Sequence, residues 1–74
     1  MKFKLTSETK IWLGRTLYRI EATAAFDHVK AGDKGGFIEK EGNLSQDGNA
    51  WVSGDARVYG DARVYGNAWV SVRS

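Results

Sequence analysis

The sequence has no cysteine, and its apolar runs reach only three residues, as in Ile11, Trp12 and Leu13. Without cysteine, neither a disulfide nor a thiolate metal site can stabilise the fold. Runs of three residues are too short for a membrane span or a signal peptide, which predicts a cytoplasmic protein with no membrane partner. A chain of 74 residues buries only about 60% of its unfolded surface. We therefore expect oligomerisation to support the fold.

A strong excess of charge of one sign is also absent. The net charge is +2, from eleven Lys and Arg against nine Asp and Glu, which does not by itself indicate a nucleic-acid partner. Residues 1–40 hold eight basic and five acidic side chains, whereas residues 41–74 hold three basic and four acidic ones. Any attraction for an anionic partner is therefore expected in the first half.

An internal repeat begins at Gly48, where the hexads read GNAWVS, GDARVY, GDARVY and GNAWVS. In each hexad Ala and Val are two residues apart, so they share one side of a short strand, and the residue between them points the other way. Gly-Asn and Gly-Asp are turn dipeptides that place a corner after each strand. A short strand and a corner in every six residues predict a triangular solenoid with three hexads per coil. Successive coils would stack about 4.8 Å apart, the usual spacing between strands.

The hexad GNAWVS at 48–53 returns unchanged at 66–71, which predicts one coil every eighteen residues. Trp51 should then lie above Trp69, Val52 above Val70, and Glu39 beside Arg57. The degraded hexads GFIEKE and GNLSQD, at 36–47, would place Ile38 and Leu44 at the inward Ala position. Arg57 and Arg63 are expected to be largely exposed, and the inward positions are Ala50, Val52, Ala56, Val58, Ala62, Val64, Ala68 and Val70.

Residues 1–35 lack the hexad period but show strand signals with a turn at Leu13-Gly14-Arg15. They predict a small antiparallel hairpin or meander that caps the first coil. The expected fold is all-β and a single domain over residues 1–74. It consists of a β cap over 1–35 followed by a short triangular parallel β-helix of about two coils over 36–74.

The run AAFDHVKAGDKGGFIEKEGNLSQDGNAWV, with TLYRIEA before it and the GDARVY repeats after it, covers most of the chain. It resembles the opening module of phage and prophage hexapeptide-repeat proteins, a family without an assigned function. More broadly, the hexads resemble those of left-handed β-helix acyltransferases, which implies left-handed winding. They depart from those enzymes in carrying Tyr59 and Tyr65 where a small residue is usual.

Three features of the sequence resemble chemical sites, and each has a simpler explanation. His28 is the only histidine, precedes the repeats and has no second catalytic residue near it in the pattern, so no catalytic residue is predicted. The loop Gly32–Gly36 lacks the Lys-Ser or Lys-Thr of a phosphate loop and is better explained as a tight connection. Asp55 and Asp61 fall at different corners, so neither a metal nor another cofactor is predicted.

Exposed aromatic residues and arginines are the types enriched at interface hot spots. For the tryptophans, an interface role competes with the alternative that each covers the neighbouring coil or is itself covered by the first-half strands. The predicted binding residues are Trp51, Trp69, Arg57, Arg63, Tyr59 and Tyr65. The open end of the last coil would leave strand edges unpaired, which predicts a homo-oligomer, most simply a dimer. The predicted oligomer interface consists of Ala68, Val70 and Val72.

These expectations favour a non-enzymatic phage accessory protein that acts in the bacterial host cell. It would bind a host or phage macromolecule, such as a protein or nucleoprotein, and an inhibitor of a bacterial defence system, for example an anti-CRISPR protein, fits this description. One alternative is a minimal hexapeptide acyltransferase, although no histidine lies on a coil. Another is a structural assembly segment.

Overall fold

The computed structural model describes residues 2–26 and 29–71, and these residues form an all-β fold without an α-helix. The elements are six strands and one 3-10 turn. They are β1 (Phe3–Trp12), β2 (Arg15–Ala22), β3 (Lys34–Ile38), the 3-10 turn (Glu41–Asn43), β4 (Trp51–Ser53), β5 (Arg57–Val58) and β6 (Trp69–Ser71). The sheets are mixed, with the antiparallel pairs in the first half of the chain and the parallel pairs in the second.

The first half is an antiparallel meander, as predicted. β1 pairs with β2, and β2 pairs with β3. The turn between β1 and β2 consists of Leu13 and Gly14, whose φ angles are 50° and 75°. Two consecutive residues with positive φ match the twist of a tight hairpin, which is why glycine is suited to the second position. The predicted turn at Leu13-Gly14-Arg15 is confirmed.

In the second half, an earlier segment of the chain pairs in parallel with a later one. We call residues 34–53 the upper layer and residues 57–71 the lower layer. β3 pairs in parallel with β5, which gives a four-stranded sheet in the order β1-β2-β3-β5. β4 pairs in parallel with β6, and an isolated parallel bridge joins Leu44 to Val64. The two layers therefore meet at three parallel contacts.

The offset of eighteen residues holds at only one of these contacts. Trp51 pairs with Trp69 and Val52 with Val70, as predicted. At the other two contacts the offset is twenty residues, since Ile38 pairs with Val58 and Leu44 with Val64. The prediction that Glu39 lies beside Arg57 is therefore wrong, because Phe37 is the residue paired with Arg57.

The change of offset arises in the upper layer, where Leu44 and Val52 are eight residues apart rather than six. Ile38 and Leu44 therefore occupy the Val position of the hexad rather than the predicted Ala position, and both are buried. Asn43 holds the corner before Leu44 and is fully buried. Its Oδ1 accepts hydrogen bonds from the N–H groups of Glu39 and Lys40, and its Nδ2 donates to the carbonyls of Gly60 and Ala62.

The predicted inward face is correct in the upper layer and incomplete in the lower one. Five of the eight inward positions are buried, namely Ala50, Val52, Ala56, Val58 and Val64. Val70 is only half-buried, and Ala62 and Ala68 are exposed, which corrects the prediction. In the described part of the chain nothing lies beneath the lower layer, so small side chains there stay accessible on one side.

The meander covers the upper layer and completes the core. Phe3, Ile20 and Ala22 are buried in the same cluster as the inward residues of the hexads. Gly35 and Gly36 lie on β3, where a Cβ would come within 2.5 Å of the carbonyl oxygen of Val52 and 2.6 Å of that of Ala56, respectively. Close backbone packing therefore explains these two glycines, rather than an anion-binding loop.

Candidate interaction surface

The tip of the β1–β2 hairpin exposes three consecutive apolar residues. Ile11 is 68% exposed, Leu13 69% and Trp12 36%. Ile11 and Leu13 are the most exposed of the three because the two-residue turn carries them beyond the core, whereas Arg57 stacks on the Trp12 ring. Contiguous apolar surface of this kind marks interaction sites more often than scattered apolar residues do. The charged residues next to it in the sequence, Lys10 and Arg15, are both basic.

Cations stack on aromatic rings across the outward face of the four-stranded sheet. The Arg57 guanidinium carbon lies 4.1 Å from the centroid of the Trp12 ring, and that of Arg15 lies 5.4 Å from the Tyr59 centroid. Phe37 is covered by Arg19 at 4.5 Å and by Lys10 Nζ at 5.4 Å. We call this set the stacked face. Each such contact contributes about 0.5–1 kcal/mol at an exposed site, so the face is ordered before any partner arrives.

Carboxylates hold two of these cations in place. Arg15 Nη1 donates to both carboxylate oxygens of Glu39, at 2.9 and 3.1 Å, and Arg19 Nε donates to Glu8 Oε2 at 2.7 Å. The Gly60 N–H also donates to Glu39 Oε1 at 2.9 Å. That backbone hydrogen bond, more than the charge of Arg15, holds the pKa of Glu39 below its ordinary value. The Glu39 side chain thus links the hairpin to a corner of the lower layer.

Trp51 is one of the predicted binding residues, but the structure agrees with the alternative that the first half of the chain covers it. Its side chain is only 2% exposed. The Phe26 ring packs edge-on against it with centroids 5.4 Å apart, and Lys2 Nζ lies 4.8 Å from the centroid of Phe26. Lys2 Nζ also donates to the Ala50 carbonyl at 2.7 Å, and burial lowers the pKa of Lys2. Residues from the first half therefore cover Trp51.

The other predicted binding residues are accessible to different degrees. Trp69 is 44% exposed and Tyr65 70% exposed, and Arg63 is exposed as predicted. Arg57 is half-buried instead of largely exposed, because Trp12 stacks on it, and Tyr59 is half-buried beneath Arg15. The structure therefore does not collect the six residues on one surface. Trp51 is buried in the upper layer, Arg57 and Tyr59 belong to the stacked face, and the other three are exposed on the lower layer.

Among the predicted interface residues, Ala68 is exposed directly before β6, and Val70 is half-buried on β6. Val72 and His28 lie outside the described residues.

A shallow groove beside the lower layer is lined by Leu44, Val64, Tyr65, Arg63, Glu41 and Gln46, with Gly42 and Ser45. The described residues include no cluster of acidic, histidine or cysteine side chains with the arrangement of a metal site.

No helix in the described ranges has the length and apolarity needed to cross a membrane. The chain matches no protein-family model and no curated protein. The site must therefore be interpreted from its own residues.

The hairpin tip is the feature that sequence reasoning missed. As a sequence pattern, the run Ile11-Trp12-Leu13 is too short for a membrane span and ends at a predicted turn, but neither property predicts a binding surface. The available signal for exposure is that the run ends inside the turn Leu13-Gly14, because residues at the tip of a tight hairpin lie far from any core. The stacked face was not foreseen, since it joins residues from β1, β2, β3 and β5 that are far apart in sequence.

Proposed function

We propose that the protein is a non-enzymatic binding module that holds a macromolecular partner through its hairpin tip and stacked face. The observation that carries the proposal is the exposure of Ile11 and Leu13 at 68% and 69% beside arginines that are already ordered on aromatic rings. Apolar anchors surrounded by pre-positioned arginine are typical of binding hot spots. The favoured partner is a protein whose apolar cleft is bordered by carboxylates.

We further propose that the three parallel contacts between the layers are two coils of a short β-helix, wound left-handed as the hexapeptide resemblance implies. Three strands joined by corners, with like residues stacked at Trp51–Trp69 and Val52–Val70, support this architecture. The resemblance to phage hexapeptide-repeat proteins supports a role inside a bacterial host cell, where inhibition of a defence system such as CRISPR is the favoured consequence of binding. We propose that the protein acts as a homodimer.

The binding proposal is tested by placing a photo-crosslinking amino acid at the hairpin tip. p-Benzoylphenylalanine replaces Leu13 in one variant and Lys30, which is exposed outside the hairpin, in a matched control. After irradiation in bacterial cells, we expect an adduct with one defined protein from position 13 and not from position 30. The partner would then be identified and purified.

Binding of the purified partner is measured next with Ile11→Ser and Leu13→Ser. Because each variant removes an apolar anchor, we expect each to weaken binding by about tenfold or more. Lys30→Ser should leave affinity unchanged. An absence of adducts at position 13, or equal affinity of all three variants, would contradict the proposal.

A further inference from the structure

The lower layer presents an edge on the side away from the upper layer. We call this the lower edge, and it comprises residues 57–59, 63–65 and 69–71. Val64 shows how its backbone is oriented. The Val64 N–H donates to the Asn43 carbonyl at 2.9 Å, and the Val64 carbonyl accepts from the Ser45 N–H at 2.9 Å. Backbone groups alternate in direction along a strand, so those of Arg63 and Tyr65 point away from the upper layer.

The same alternation holds on the other two sides of the lower layer. The Val58 carbonyl accepts from Glu39 N–H at 3.1 Å, and the Ala68 carbonyl accepts from Trp51 N–H at 3.1 Å. The outward backbone groups are therefore those of Arg57 and Tyr59, Arg63 and Tyr65, and Trp69 and Ser71. The Tyr59 and Tyr65 carbonyls among them also accept turn hydrogen bonds from the N–H groups of Ala62 and Ala68, at 3.2 and 3.1 Å, so pairing with a further strand would use their second lone pairs. Outward groups in this repeating pattern form a template for pairing with further strands.

Trp69 on the lower edge and Ala68 next to it also lack the cover that their equivalents have in the upper layer. Trp69 is 44% exposed, whereas Trp51 at the same hexad position is 2% exposed. Ala68 is exposed, whereas Ala50 is buried. Tyr65, at 70%, is the most exposed large apolar residue in the described part of the chain. Pairing with further strands would bury these groups together.

We propose that a second copy of the chain pairs antiparallel with the lower edge, about a two-fold axis that passes beside Val70. This inference rests on the proposed two-coil β-helix and the proposed self-association, and it adds the interface and its register. On the axis, Val70 lies opposite the partner's Val70. The axis crosses the side of the triangular coil that holds Val70. Rotation about it exchanges the other two sides, which hold Val58 and Val64. Val58 therefore lies opposite the partner's Val64.

The segments Arg57-Val58-Tyr59 and Arg63-Val64-Tyr65 are complementary in this register. Arg57 lies opposite the partner's Tyr65, and Tyr59 lies opposite the partner's Arg63. The two-fold axis doubles both pairs, which gives four arginine–tyrosine pairs of the kind that stabilise cross-strand contacts. No arginine meets another arginine.

The two alternative axes are less complementary. If the axis passes beside Val58, the segment 57–59 lies opposite the partner's 57–59, and 63–65 lies opposite the partner's β6. If it passes beside Val64, the two segments exchange these roles. Each of these axes then gives only two arginine–tyrosine pairs and leaves the remaining arginine opposite Ser71. The number of arginine–tyrosine pairs therefore favours the axis at Val70.

The absence of cysteine from the sequence makes single-cysteine variants specific probes of the axis. Val70→Cys, Val58→Cys and Val64→Cys each report one of the three axes, because only a residue on the axis meets its own copy. In the proposed register, the two copies of residue 70 form a non-hydrogen-bonded pair with Cα atoms about 4.5 Å apart, within the range that a disulfide spans. The unsubstituted chain is examined in parallel by analytical ultracentrifugation from 10 to 500 μM.

We expect a concentration-dependent dimer, and a disulfide-linked dimer under mild oxidation from Val70→Cys but not from the two control variants. A disulfide from Val58→Cys or Val64→Cys, or a dimer without the Val70→Cys disulfide, would overturn the register while leaving self-association intact. A monomer throughout the range, or open-ended filaments, would overturn the two-fold pairing itself. Neither result would decide whether Ile11 and Leu13 at the hairpin tip bind a partner, because these two residues lie outside the lower edge.

A charge variant tests the side-chain pairs separately. Arg63→Glu removes two of the four arginine–tyrosine pairs, so we expect the dimer dissociation constant to rise roughly tenfold. Lys30→Glu makes the same change of net charge at an exposed position outside the lower edge and should leave it unchanged. Equal weakening by both variants would show that only net charge matters and would overturn the proposed pairing.

Discussion

The two copies of the hexad GNAWVS, at 48–53 and 66–71, are the same sequence in two environments. In the first copy Trp51 and Ala50 are buried, and in the second Trp69 and Ala68 are exposed. The local structure is shared, because both copies form a short strand and the two strands pair residue for residue. What differs is the covering, since Phe26 and Lys2 pack over the first copy alone.

The comparison shows that strand pairing and burial are separate properties, although a repeat is often taken to determine both. Alternation along a strand fixes which side chains share a side. Burial depends on whichever segment packs against that side, and here that segment lies outside the repeat. The repeat therefore predicts the pairing partner of each tryptophan but not the energetic role of either one.

The largest expected effect comes from truncating each tryptophan in turn. Trp51→Ala should lower the free energy of unfolding by about 3–5 kcal/mol, because it leaves a cavity beneath Phe26. Trp69→Ala should cost about 1 kcal/mol or less, since its ring remains partly in water. Urea denaturation followed by circular dichroism measures both, and Trp51→Phe provides a milder variant if Trp51→Ala does not fold. Similar losses for the two alanine variants would contradict the assigned burial.

An intermediate effect is expected at the closely packed glycines of β3. Gly36→Ala would bring a Cβ within 2.6 Å of the Ala56 carbonyl oxygen, so a backbone shift is required. We expect a loss of about 1–3 kcal/mol in the free energy of unfolding. Gly42→Ala is the matched control, because no atom lies within 4 Å of its added Cβ. That substitution should be neutral or stabilising by up to about 1 kcal/mol, and a destabilisation as large as that of Gly36→Ala would refute the packing explanation.

The smallest effect concerns the carboxylate that joins the hairpin to the lower layer. The pKa of Glu39 is lowered in the folded state, so its contribution to stability is present above the pKa of the unfolded state and is lost as the pH falls through the folded value. Glu39→Gln should therefore be less stable than the unsubstituted chain at neutral pH. Thermal unfolding at neutral pH and at pH 3 should show the difference shrinking in acid. Glu41→Gln, at an exposed neighbouring position, serves as control, and a pH-independent difference for Glu39→Gln would oppose the assignment.

Much of the fold could be predicted from local patterns. The hairpin turn follows from Leu13-Gly14, and the pairing of Trp51 with Trp69 follows from identical hexads. The offset of twenty residues at Leu44 could not be predicted from local patterns. When the glycines of successive hexads are aligned, the degraded hexad GNLSQD has the full six residues and gives no sign of a longer corner. Alignment of Leu44 with Val64 as apolar strand residues is the signal that would have revealed it.

The candidate surface was less predictable for a physical reason. The arginines of the stacked face meet aromatic rings on other strands, and strand pairing across the sheet depends on the whole topology. The exposure of the hairpin tip likewise depends on what the rest of the chain leaves uncovered. Local sequence contains neither kind of information.

The register of the two layers is tested most directly by nuclear Overhauser contacts between methyl groups in a sample labelled at Ile, Leu and Val. The structure predicts contacts between Ile38 and Val58, between Leu44 and Val64, and between Val52 and Val70. Two offsets of twenty and one of eighteen would confirm that an extended corner precedes β4. Contacts of Ile38 with Ala56 and of Leu44 with Ala62, detected by adding alanine methyl labels, would show a uniform offset of eighteen and contradict the register.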